Sequence, residues 1–517
     1  MFQSIFFYLK NRNKRLLRHK ISAYEIFEKR GESQVVNQIF TKLRTGDAIA
    51  PMRFMGATLS SHTVEEYLSY RLFNRKLSSN LYLSLSNPDE YVLPNNLPRA
   101  WRELLHKQFG IRSSCLSFLR WRALGMKQLF LCLAYGVMVI KRIFITQRKD
   151  KSSCIYLHGL GSDNISSHWH ETNYNIVSFF KTLRSTKTIL ANTNATTSTD
   201  DNTVIRVVSP FDHIRIYRSP EIILFMLALV IGSLISVTVG RGFLAFLSIE
   251  ILKIHLAHLL NKESICKEYA FYNSWTIYRP AWTYSLEKKG ALITLYFYSI
   301  NCLPFNIDGK LLDTHFSYKR MSWTNYLVWN EAMVTFLRNN TRFVAKFEKV
   351  NPVTFSDNNA QAPFMKNKVV VFDVTPTRYA LFSQFAPLTN YYSAKTKTFF
   401  FNDITELAEE LGIELVFKKK RSLGTTTSKR YQKLFQQLEK LSFIQLADPD
   451  ISAHRLIRDC RAVISMPFTS TAHIGVFYDK PSIYYDGTGR ISDSEPTALG
   501  IPMISQKSDL RLWLQSI

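Results

Sequence analysis

The last 150 residues alternate between short apolar runs and helical segments, and this alternation constrains the fold more than any other feature. Segments of roughly ten residues with helical periodicity separate the runs. Five runs have the length and apolar character of buried strands: 368–373, 413–417, 443–446, 462–465 and 481–485. Strands that are apolar on both faces and alternate with helices are typical of a doubly wound parallel sheet. Residues 368–517 are therefore predicted to form one Rossmann-like α/β domain.

Polar side chains follow three of these strands, and ligands of doubly wound sheets bind beyond the carboxyl ends of the strands. Asp373 follows the first strand, a basic cluster at 418–421 follows the second, and the sequence PFTST at 467–471 follows the fourth, where a helix begins. The backbone N–H groups and hydroxyls of a helix start favour an anion, and the basic cluster would supply complementary cations. An ordinary helix cap and a solvated charge run are the competing interpretations. The residues predicted to hold a phosphate group are Asp373, Lys419, Arg421, Pro467, Thr469, Ser470 and Thr471.

The preceding part of the chain predicts a second α/β unit and a helical region. Three further runs have strand character: 154–157, 204–208 and 292–298. They predict another Rossmann-like domain within 151–350, interrupted by an apolar helical insert at 221–260. Residues 1–150 have a basic, mainly helical pattern, and the polar, unpatterned stretch 351–367 is the expected linker. The predicted fold class is α/β, with two Rossmann-like domains and an additional helical N-terminal region.

The stretch 222–239 contains 18 uncharged residues, which is long enough to cross a bilayer. A single crossing would separate strand-like runs that are expected to share one sheet, and is therefore disfavoured. Burial in the core and contact with a membrane remain as the two interpretations. The apolar run 129–140 is too short to be expected to span a bilayer.

The charge of the chain implies an anionic partner. Lys and Arg number 66 against 40 Asp and Glu, which gives a net charge of +26. The basic N-terminal segment favours peripheral contact with an anionic membrane, whereas no recognised nucleic-acid-binding module accompanies the charge. The six cysteines are scattered, with no metal-ligand or disulfide spacing, which favours a reducing compartment. We expect a cytoplasmic protein, peripherally associated with the inner membrane, and no nucleic-acid partner.

The block ISMPFTSTAHIGVFYDKPSIYYD at 464–486 resembles the signature of a bacterial family, the polysaccharide biosynthesis PFTS motif proteins. Other segments are similar to the same family: 272–301, 325–337, 369–376 and 414–422. The order of the basic cluster and the Ser/Thr block is also similar to that of inverting GT-B glycosyltransferases that use nucleotide-activated sialic acid, Kdo or related sugars. Those enzymes commonly carry His-Pro at the basic motif, and this chain carries neither residue there, which leaves the donor sugar open.

The resemblance implies a GT-B-like fold in which two Rossmann-like domains face a cleft, with the donor bound by residues 368–517 and the acceptor side formed by 151–350. It implies a glycosyltransferase of bacterial surface polysaccharide synthesis, of capsule or O-antigen type. The enzyme would transfer a sugar from a nucleotide-activated donor to a glycan or lipid-linked acceptor. The nucleotide sugar would be a substrate, and no cofactor is expected.

The sequence Asp448-Pro449-Asp450 matches the short DxD pattern of metal-dependent glycosyltransferases. Because it directly precedes a predicted helix, a turn and helix cap is the simpler interpretation. No cluster of His, Asp and Glu with metal-ligand spacing accompanies it. We therefore expect a metal-independent, inverting reaction.

An inverting transfer needs a base on the acceptor side to take the proton of the acceptor hydroxyl. Glu287 is the predicted base, because the flanking Trp282 and Tyr284 could exclude water from its carboxylate and raise its pKa. An exposed helix glutamate paired with Lys288 or Lys289 is the competing interpretation. Other candidates are Glu331, His158, Asp163, His168 and His170.

Three other enzyme classes lack their required motifs in this sequence. The run CIYLHGLGSDN resembles the oxyanion segment of α/β-hydrolases, but no G-x-S-x-G follows it, which argues against a serine hydrolase. The P-loop and the G-x-G-x-x-G fingerprint are also missing, which counts against ATP hydrolysis and dinucleotide chemistry. Two alternatives to a transferase remain: a nucleotide-sugar epimerase of GT-B architecture, and a non-catalytic polysaccharide-assembly protein.

Overall fold

The N-terminal region is a small hairpin followed by helices. The computed structural model describes residues 38–39, 42–43, 52–72, 75–86, 91–114, 116–145, 154–160, 176–186, 189–193, 204–207, 209–239, 242–272, 278–300, 302–312, 318, 321–341, 343–353, 361–376, 390–392, 394–419 and 429–517. Its first elements are β1 (Met52–Phe54), β2 (Ala57–Leu59), α1 (Ser61–Leu72), α2 (Arg75–Ser86), α3 (Arg99–Phe109) and α4 (Ser117–Ile145). Helix α3 ends where Gly110 adopts a left-handed conformation with φ of 65°, the usual helix stop. The described part of residues 1–150 is mainly helical, as predicted.

The first sheet contains seven parallel strands: β3 (Ile155–Leu160), β4 (Ile189–Thr193), β5 (Val204–Val207), β6 (Glu268–Tyr272), β7 (Leu292–Tyr296), β10 (Asn325–Val328) and β11 (Lys346–Lys349). The helices between them are α5 (Ile176–Arg184), α6 (Ser219–Thr238), α7 (Phe243–Leu259), α8 (Trp282–Lys288) and α9 (Glu331–Asn340). A short hairpin, β8 (Asn306–Ile307) and β9 (Lys310–Leu311), follows β7. Strands β7 and β10 are buried at almost every position, because helices cover both faces of the sheet. The three runs expected to share a sheet do so, as β3, β5 and β7.

The second sheet contains six parallel strands: β12 (Val369–Phe372), β13 (Leu415–Lys418), β14 (Ile444–Ala447), β15 (Ala462–Ser465), β16 (Ser482–Tyr485) and β17 (Met503–Ile504). Its helices are α10 (Ala394–Glu410), α11 (Lys429–Leu438), α12 (Ala453–Arg458), α13 (Ser470–Phe477) and α14 (Lys507–Ser516). Strands β12 to β16 coincide with the five predicted runs to within two residues. The two-residue strand β17 was not predicted, because it is too short to form a recognisable apolar run.

Both sheets have the strand order of a Rossmann fold. The first runs β5-β4-β3-β6-β7-β10-β11 and the second β14-β13-β12-β15-β16-β17, which is the order 3-2-1-4-5-6 with one added edge strand in the first sheet. The direction of winding reverses between β3 and β6 and between β12 and β15. Such switch points open a crevice at the carboxyl ends of the strands.

The carboxyl edges of the two sheets face each other. Phe305 and Ile307, which follow β7, are buried in the core of the second domain. Trp329 directly follows β10 and packs against the cores of both domains. These contacts confirm the predicted GT-B-like arrangement of two facing Rossmann-like domains with an additional helical region.

The apolar insert forms two helices, and only one of them is deeply buried. Helix α7 packs between the outer helices α4 and α6 on one side and α8 on the other. Helix α6 and its preceding turn (Ile216–Thr238) and α4 (Ser117–Ile145) are each long and apolar enough to cross a membrane by length and composition. The prediction that the run 129–140 is too short to span a bilayer is wrong, because this run is the middle of a 29-residue helix.

Candidate functional site

The switch point of the second sheet lies between β12 and β15. The backbone N–H of Met466 donates to the carbonyl of Phe372 (2.9 Å), so the segment after β15 runs beside Asp373. Strand β13 is the other neighbour of β12, which places Lys419 at the same edge. Neighbouring strands lie about 4.8 Å apart, so the ends of all three strands fall within about 10 Å of one another. The structure therefore brings the described members of the predicted phosphate site to one edge.

The turn between β15 and α13 is held by the hydroxyl groups of the PFTST block. Thr469 donates its hydroxyl to the carbonyl of Met466 (2.8 Å) instead of capping α13. Thr471 shares a hydrogen bond with the buried hydroxyl of Ser465 (2.8 Å). These two threonines stabilise the turn that places the start of α13 at the switch point. The first turn of a helix has backbone N–H groups with no partner inside the helix, and these favour an anion.

Two other residues of the block contact the first domain. The Ser470 hydroxyl accepts a hydrogen bond from the backbone N–H of Ile300 (3.2 Å), which lies after β7. Phe468 has a φ of 60°, an unusual conformation for a residue with a side chain, and its buried ring packs on Phe305 with the centroids 4.2 Å apart. Pro467 accepts a hydrogen bond on its carbonyl from the Tyr392 hydroxyl (3.0 Å). The block is therefore both a helix start and an interdomain contact.

The polar groups beside this turn have different roles. Asp373 is buried and accepts a hydrogen bond from the Tyr431 hydroxyl (2.6 Å). Burial, together with the Asp373 carboxylate, raises the pKa of Tyr431 well above its ordinary value, so the phenol stays protonated and donates.

The residues of the basic cluster differ in their surroundings. Lys418, the first residue of the cluster, donates to the Pro449 carbonyl (3.0 Å) in the turn of the DPD sequence. Lys419 is half-buried, with its ammonium 5.3 Å from the Phe435 ring. Arg421 lies outside the described residues.

Sequence reasoning missed two buried polar residues at this edge. Lys397 in α10 is fully buried, and its ammonium contacts the sulfur of Met466. It shares the inward face of α10 with Phe400, Phe401 and Ile404, so its position on an otherwise apolar stripe was a signal available in the sequence. Asp486, directly after β16, accepts hydrogen bonds from the Tyr391 hydroxyl (3.0 Å) and from the backbone N–H groups that follow it.

The switch point of the first sheet contains a half-buried histidine. His158 lies in β3, and its ring packs against Phe271 of β6 with the centroids 4.9 Å apart. Its Nδ1 atom lies 3.5 Å from the Tyr156 hydroxyl. Burial, with a smaller contribution from Lys253, lowers the pKa of His158 to about 4. The imidazole is therefore neutral near pH 7 and has a lone pair that can accept a proton.

Glu287, the predicted base, lies at the opposite edge of this sheet. It belongs to the last turn of α8, just before β7 begins at Leu292, and accepts hydrogen bonds from Arg279 (2.6 Å) and from Thr324, which precedes β10 (2.6 Å). The length of β7 separates this carboxylate from the edge that faces the second domain, about 16 Å for five residues. This position and the pairing with Arg279 argue against the predicted role of Glu287 as the base. The signal was present in the sequence, because a residue shortly before a parallel strand lies at its amino end.

Of the remaining candidates for a base, only Glu331 lies within the described residues. Glu331 begins α9 just beyond the carboxyl end of β10, is exposed, and pairs with Lys349 (3.3 Å). Asp163, His168 and His170 lie outside the described residues. Within the described ranges, no group of three or more His, Cys, Asp or Glu side chains could hold a metal ion.

Comparisons with known proteins identify a family and several distant structural likenesses. No curated protein matches the chain. TarM is 12% identical with a TM-score of 0.31; the match covers 52% of this chain and 51% of TarM, about half the length of each. The UDP-GlcNAc 2-epimerase of Methanocaldococcus jannaschii is 10% identical over 70% of this chain and 92% of its own, with a TM-score of 0.35. An α,α-trehalose-phosphate synthase (UDP-forming) from Burkholderia vietnamiensis is 10% identical over 71% and 91%, with a TM-score of 0.36.

The family match covers the candidate phosphate site of the second domain, whereas His158 lies outside it. The sequence model of the polysaccharide biosynthesis PFTS motif proteins matches residues 232–514, which is more than half of the chain. The match contains the end of α6, most of the first sheet and nearly the whole of the second domain. The chain belongs to the family of polysaccharide biosynthesis PFTS motif proteins.

Proposed function

We propose that this protein is a glycosyltransferase that takes a sugar from a nucleotide-activated donor. The observation that carries the proposal is the position of the PFTST block, which starts α13 at the switch point of one sheet and touches the segment that leaves the carboxyl edge of the other. Ligands of such sheets bind at this position, and a helix start there favours a phosphate. Membership of a polysaccharide biosynthesis family supports a sugar donor.

In the proposed reaction, the start of α13 and the Lys419 ammonium bind the donor phosphate. The acceptor hydroxyl oxygen attacks the anomeric carbon from the face opposite the phosphate, while the bond between that carbon and the phosphate oxygen breaks. The nucleotide leaves with the bonding electrons, and the cation and helix dipole stabilise its charge. His158 accepts the acceptor's proton, since it is the described candidate base at the switch point of the first sheet.

The finer features of the proposal come from the family resemblance. The sugar of the donor stays open, and the acceptor would be a glycan or a lipid-linked molecule in the synthesis of a surface polysaccharide of capsule or O-antigen type. The reaction would invert the anomeric configuration and would need neither a metal nor a cofactor. The protein would act in the cytoplasm, at the inner membrane.

A panel of nucleotide sugars, incubated with the protein with and without membrane lipid, tests this proposal. We expect free nucleotide to appear with one donor, and only when lipid is present. Isomerisation of the sugar without nucleotide release would instead indicate an epimerase. Inactivity across the whole panel would favour a non-catalytic assembly protein.

Substitution at Ser470 tests the location of the donor site. Ser470→Asp adds a carboxylate where we place the phosphate, but an aspartate suits a helix start and can still accept the Ile300 hydrogen bond. We expect nucleotide binding to weaken at least about a hundredfold, as for the loss of two charged hydrogen bonds. Ser508→Asp, in the first turn of α14, is the matched control and should bind like the wild type. If Ser470→Asp and the wild type bind nucleotide equally in a calorimetric titration, the donor phosphate does not bind at the start of α13.

His158→Asn tests the base independently. The variant should bind nucleotide like the wild type and lose turnover, because only proton transfer is affected. Wild-type turnover in this variant would show that His158 is not the base, and that Glu331 or a residue outside the described ranges is.

A further inference from the structure

Helices α4 and α6 present a continuous apolar surface to the outside of the molecule, here called the α4/α6 face. Its exposed large side chains include Phe130, Val137 and Phe144 of α4 and Leu224, Leu227 and Ile231 of α6, each between 56% and 71% exposed. The two helices contact each other, so these side chains form one surface rather than two stripes.

The extent of this face exceeds that of an ordinary surface patch. Between Glu221 and the end of α6 at Thr238 there is no charged residue, a length of about 25 Å at 1.5 Å per residue. On α4 the 13 residues between Lys127 and Lys141 are also uncharged. Large contiguous apolar patches on soluble proteins mark sites of interaction with a protein or a membrane.

The inner faces of both helices are covered by the rest of the domain along their length. Gly125 and Gly136 of α4 lie against Ala245 and Leu252 of α7, and a Cβ atom at either position would come within 3.3 Å of them. The two outer helices run antiparallel, because Arg122 donates to the Thr238 carbonyl at one end while Gly136 lies against Met226 further along. A crossing by either helix alone would break its contacts with α7. Only the outer face is available to lipid.

Cations border this face at both ends. Lys127 lies towards the start of α4, while Lys141 and Arg142 lie near its end. Because the helices are antiparallel, the end of α4 lies near the start of α6, where Arg215 and Arg218 are found. A strip of apolar side chains with cations at its ends matches the chemistry of an anionic bilayer surface, with hydrocarbon below and phosphate groups around it.

We propose that the α4/α6 face inserts flat into one leaflet of an anionic membrane, so that the protein is monotopic rather than membrane-spanning. The depth of insertion would be that of an interfacial helix, about 5–10 Å.

Flotation of the full-length protein with vesicles tests the proposal. We expect the wild type to float with vesicles of phosphatidylcholine and phosphatidylglycerol and to stay partly bound in high salt, because the apolar contact is not screened. The triple variant Phe130→Gln, Leu224→Gln, Ile231→Gln should bind at least about tenfold more weakly. The matched control is Val344→Gln, Phe364→Gln, Leu512→Gln, which changes three side chains that are 64% to 98% exposed elsewhere. It should float like the wild type.

Three outcomes would overturn the proposal. One is a wild type that does not float, and another is a triple variant that floats like the wild type. The third is a wild-type dimer in lipid-free sedimentation that the triple variant dissociates, which would identify a second copy as the occupant of the face.

Nitroxide labels distinguish flat insertion from a span. Single cysteines at positions 130, 224 and 231 can be labelled selectively in a Cys115→Ser background. The five native cysteines that the structure describes are all buried, and Cys115 lies outside the described residues. In vesicles all three labels should be accessible to oxygen at a similar shallow depth. Positions 224 and 231 are about 10 Å apart along the helix axis, so a depth difference of that size would indicate a crossing and overturn the flat orientation.

Discussion

Arg279 shows how one buried charge determines the role of its neighbours. Its guanidinium is 1% exposed and donates to the Thr283 hydroxyl (3.1 Å), the Ser322 carbonyl (3.1 Å) and the Glu287 carboxylate (2.6 Å). It also stacks on the Tyr284 ring, 4.0 Å from the centroid. A buried cation must be paired, and the carboxylate that pairs it is fixed in orientation. Glu287 is thus a structural counter-ion.

Replacing Glu287 should therefore reduce stability and leave catalysis in place. In Glu287→Ala the buried guanidinium loses its only carboxylate partner among the contacts above. We expect the free energy of unfolding to fall by about 1–3 kcal/mol. This loss is smaller than for a fully buried pair, because a third of the Glu287 side chain is exposed to solvent. Turnover per folded molecule should stay within about twofold of the wild type. Chemical denaturation and a steady-state assay on the same preparation measure the two effects.

Glu331→Ala provides the comparison for stability. Glu331 pairs with Lys349 and Arg338, but its side chain is 62% exposed, so the loss in unfolding free energy should be below about 1 kcal/mol. A Glu287→Ala protein of normal stability with no turnover would reinstate Glu287 as the catalytic base.

The element that joins the two domains is the segment around the β8–β9 hairpin. It leaves the carboxyl end of β7, and Phe305 and Ile307 are buried in the core of the second domain. Asp308, with a φ of 51°, accepts hydrogen bonds from Arg490 (3.0 and 3.1 Å), and Asn306 donates to the buried Glu495 (3.0 Å). The first domain thus contributes part of the wall behind the PFTST block.

Removal of the Phe305 ring should affect stability and nucleotide binding together. Phe305→Ala leaves a cavity against Phe468, and a buried Phe→Ala change costs about 3–5 kcal/mol. Because Phe468 belongs to the turn that positions α13, nucleotide binding should also weaken. Phe336→Ala is the matched control, since both rings are 6% exposed but Phe336 packs in the first domain. It should lose comparable stability and bind CMP and UDP like the wild type; equal binding by both variants would contradict the coupling.

The sequence was most informative where the elements are short, apolar and parallel. Strands β12 to β16 follow from their apolar runs, because a strand covered on both faces admits few polar residues. The adjacency of Asp373, Lys419 and the PFTST block follows in turn from the Rossmann strand order. Local pattern and global fold agree in this domain.

Long-range contacts were not predictable in the same way. The extent of α4 was hidden by Gly125, Gly136 and the charged residues near its ends, which interrupt the apolar pattern without ending the helix. The pairing of Arg279 with Glu287 and the burial of Lys397 against Met466 depend on which side chains meet after folding. The contact of Ser470 with Ile300 joins residues 170 positions apart.

At the scale of the whole molecule, the N-terminal helices and the first domain share one core. Leu68 and Trp101 belong to the same cluster of buried side chains as Phe246 and Trp282. The buried carboxylate of Glu66 in α1 accepts a hydrogen bond from Ser322 of the first domain (3.0 Å), and burial raises its pKa well above the ordinary value. The helical region and the first domain should therefore unfold together rather than as separate units.

Histidines that are fully or partly buried occur in both domains and make stability depend on pH. Four histidines have a pKa lowered to about 4, mainly by burial: His158, His255, His454 and His473. An unfolded histidine has a pKa near 6.5, so between pH 6.5 and 4 the unfolded chain binds protons that the folded chain does not. The free energy of unfolding should therefore be highest above pH 6.5 and fall as the pH decreases towards 4.

His454 should account for a measurable part of this loss. It is 7% exposed, and its Nδ1 atom lies 3.1 Å from the Tyr478 hydroxyl. With a folded pKa of about 4, its contribution to the loss at pH 5 relative to neutral pH is about 2 kcal/mol. In His454→Gln the fall in unfolding free energy between pH 7 and pH 5 should be smaller than in the wild type by about that amount, as measured by denaturant titration at each pH. His106→Gln, which changes an exposed histidine of α3, should keep the wild-type pH dependence. The same slope in His454→Gln as in the wild type would mean that His454 is solvated or that its protonated form finds a partner in the fold.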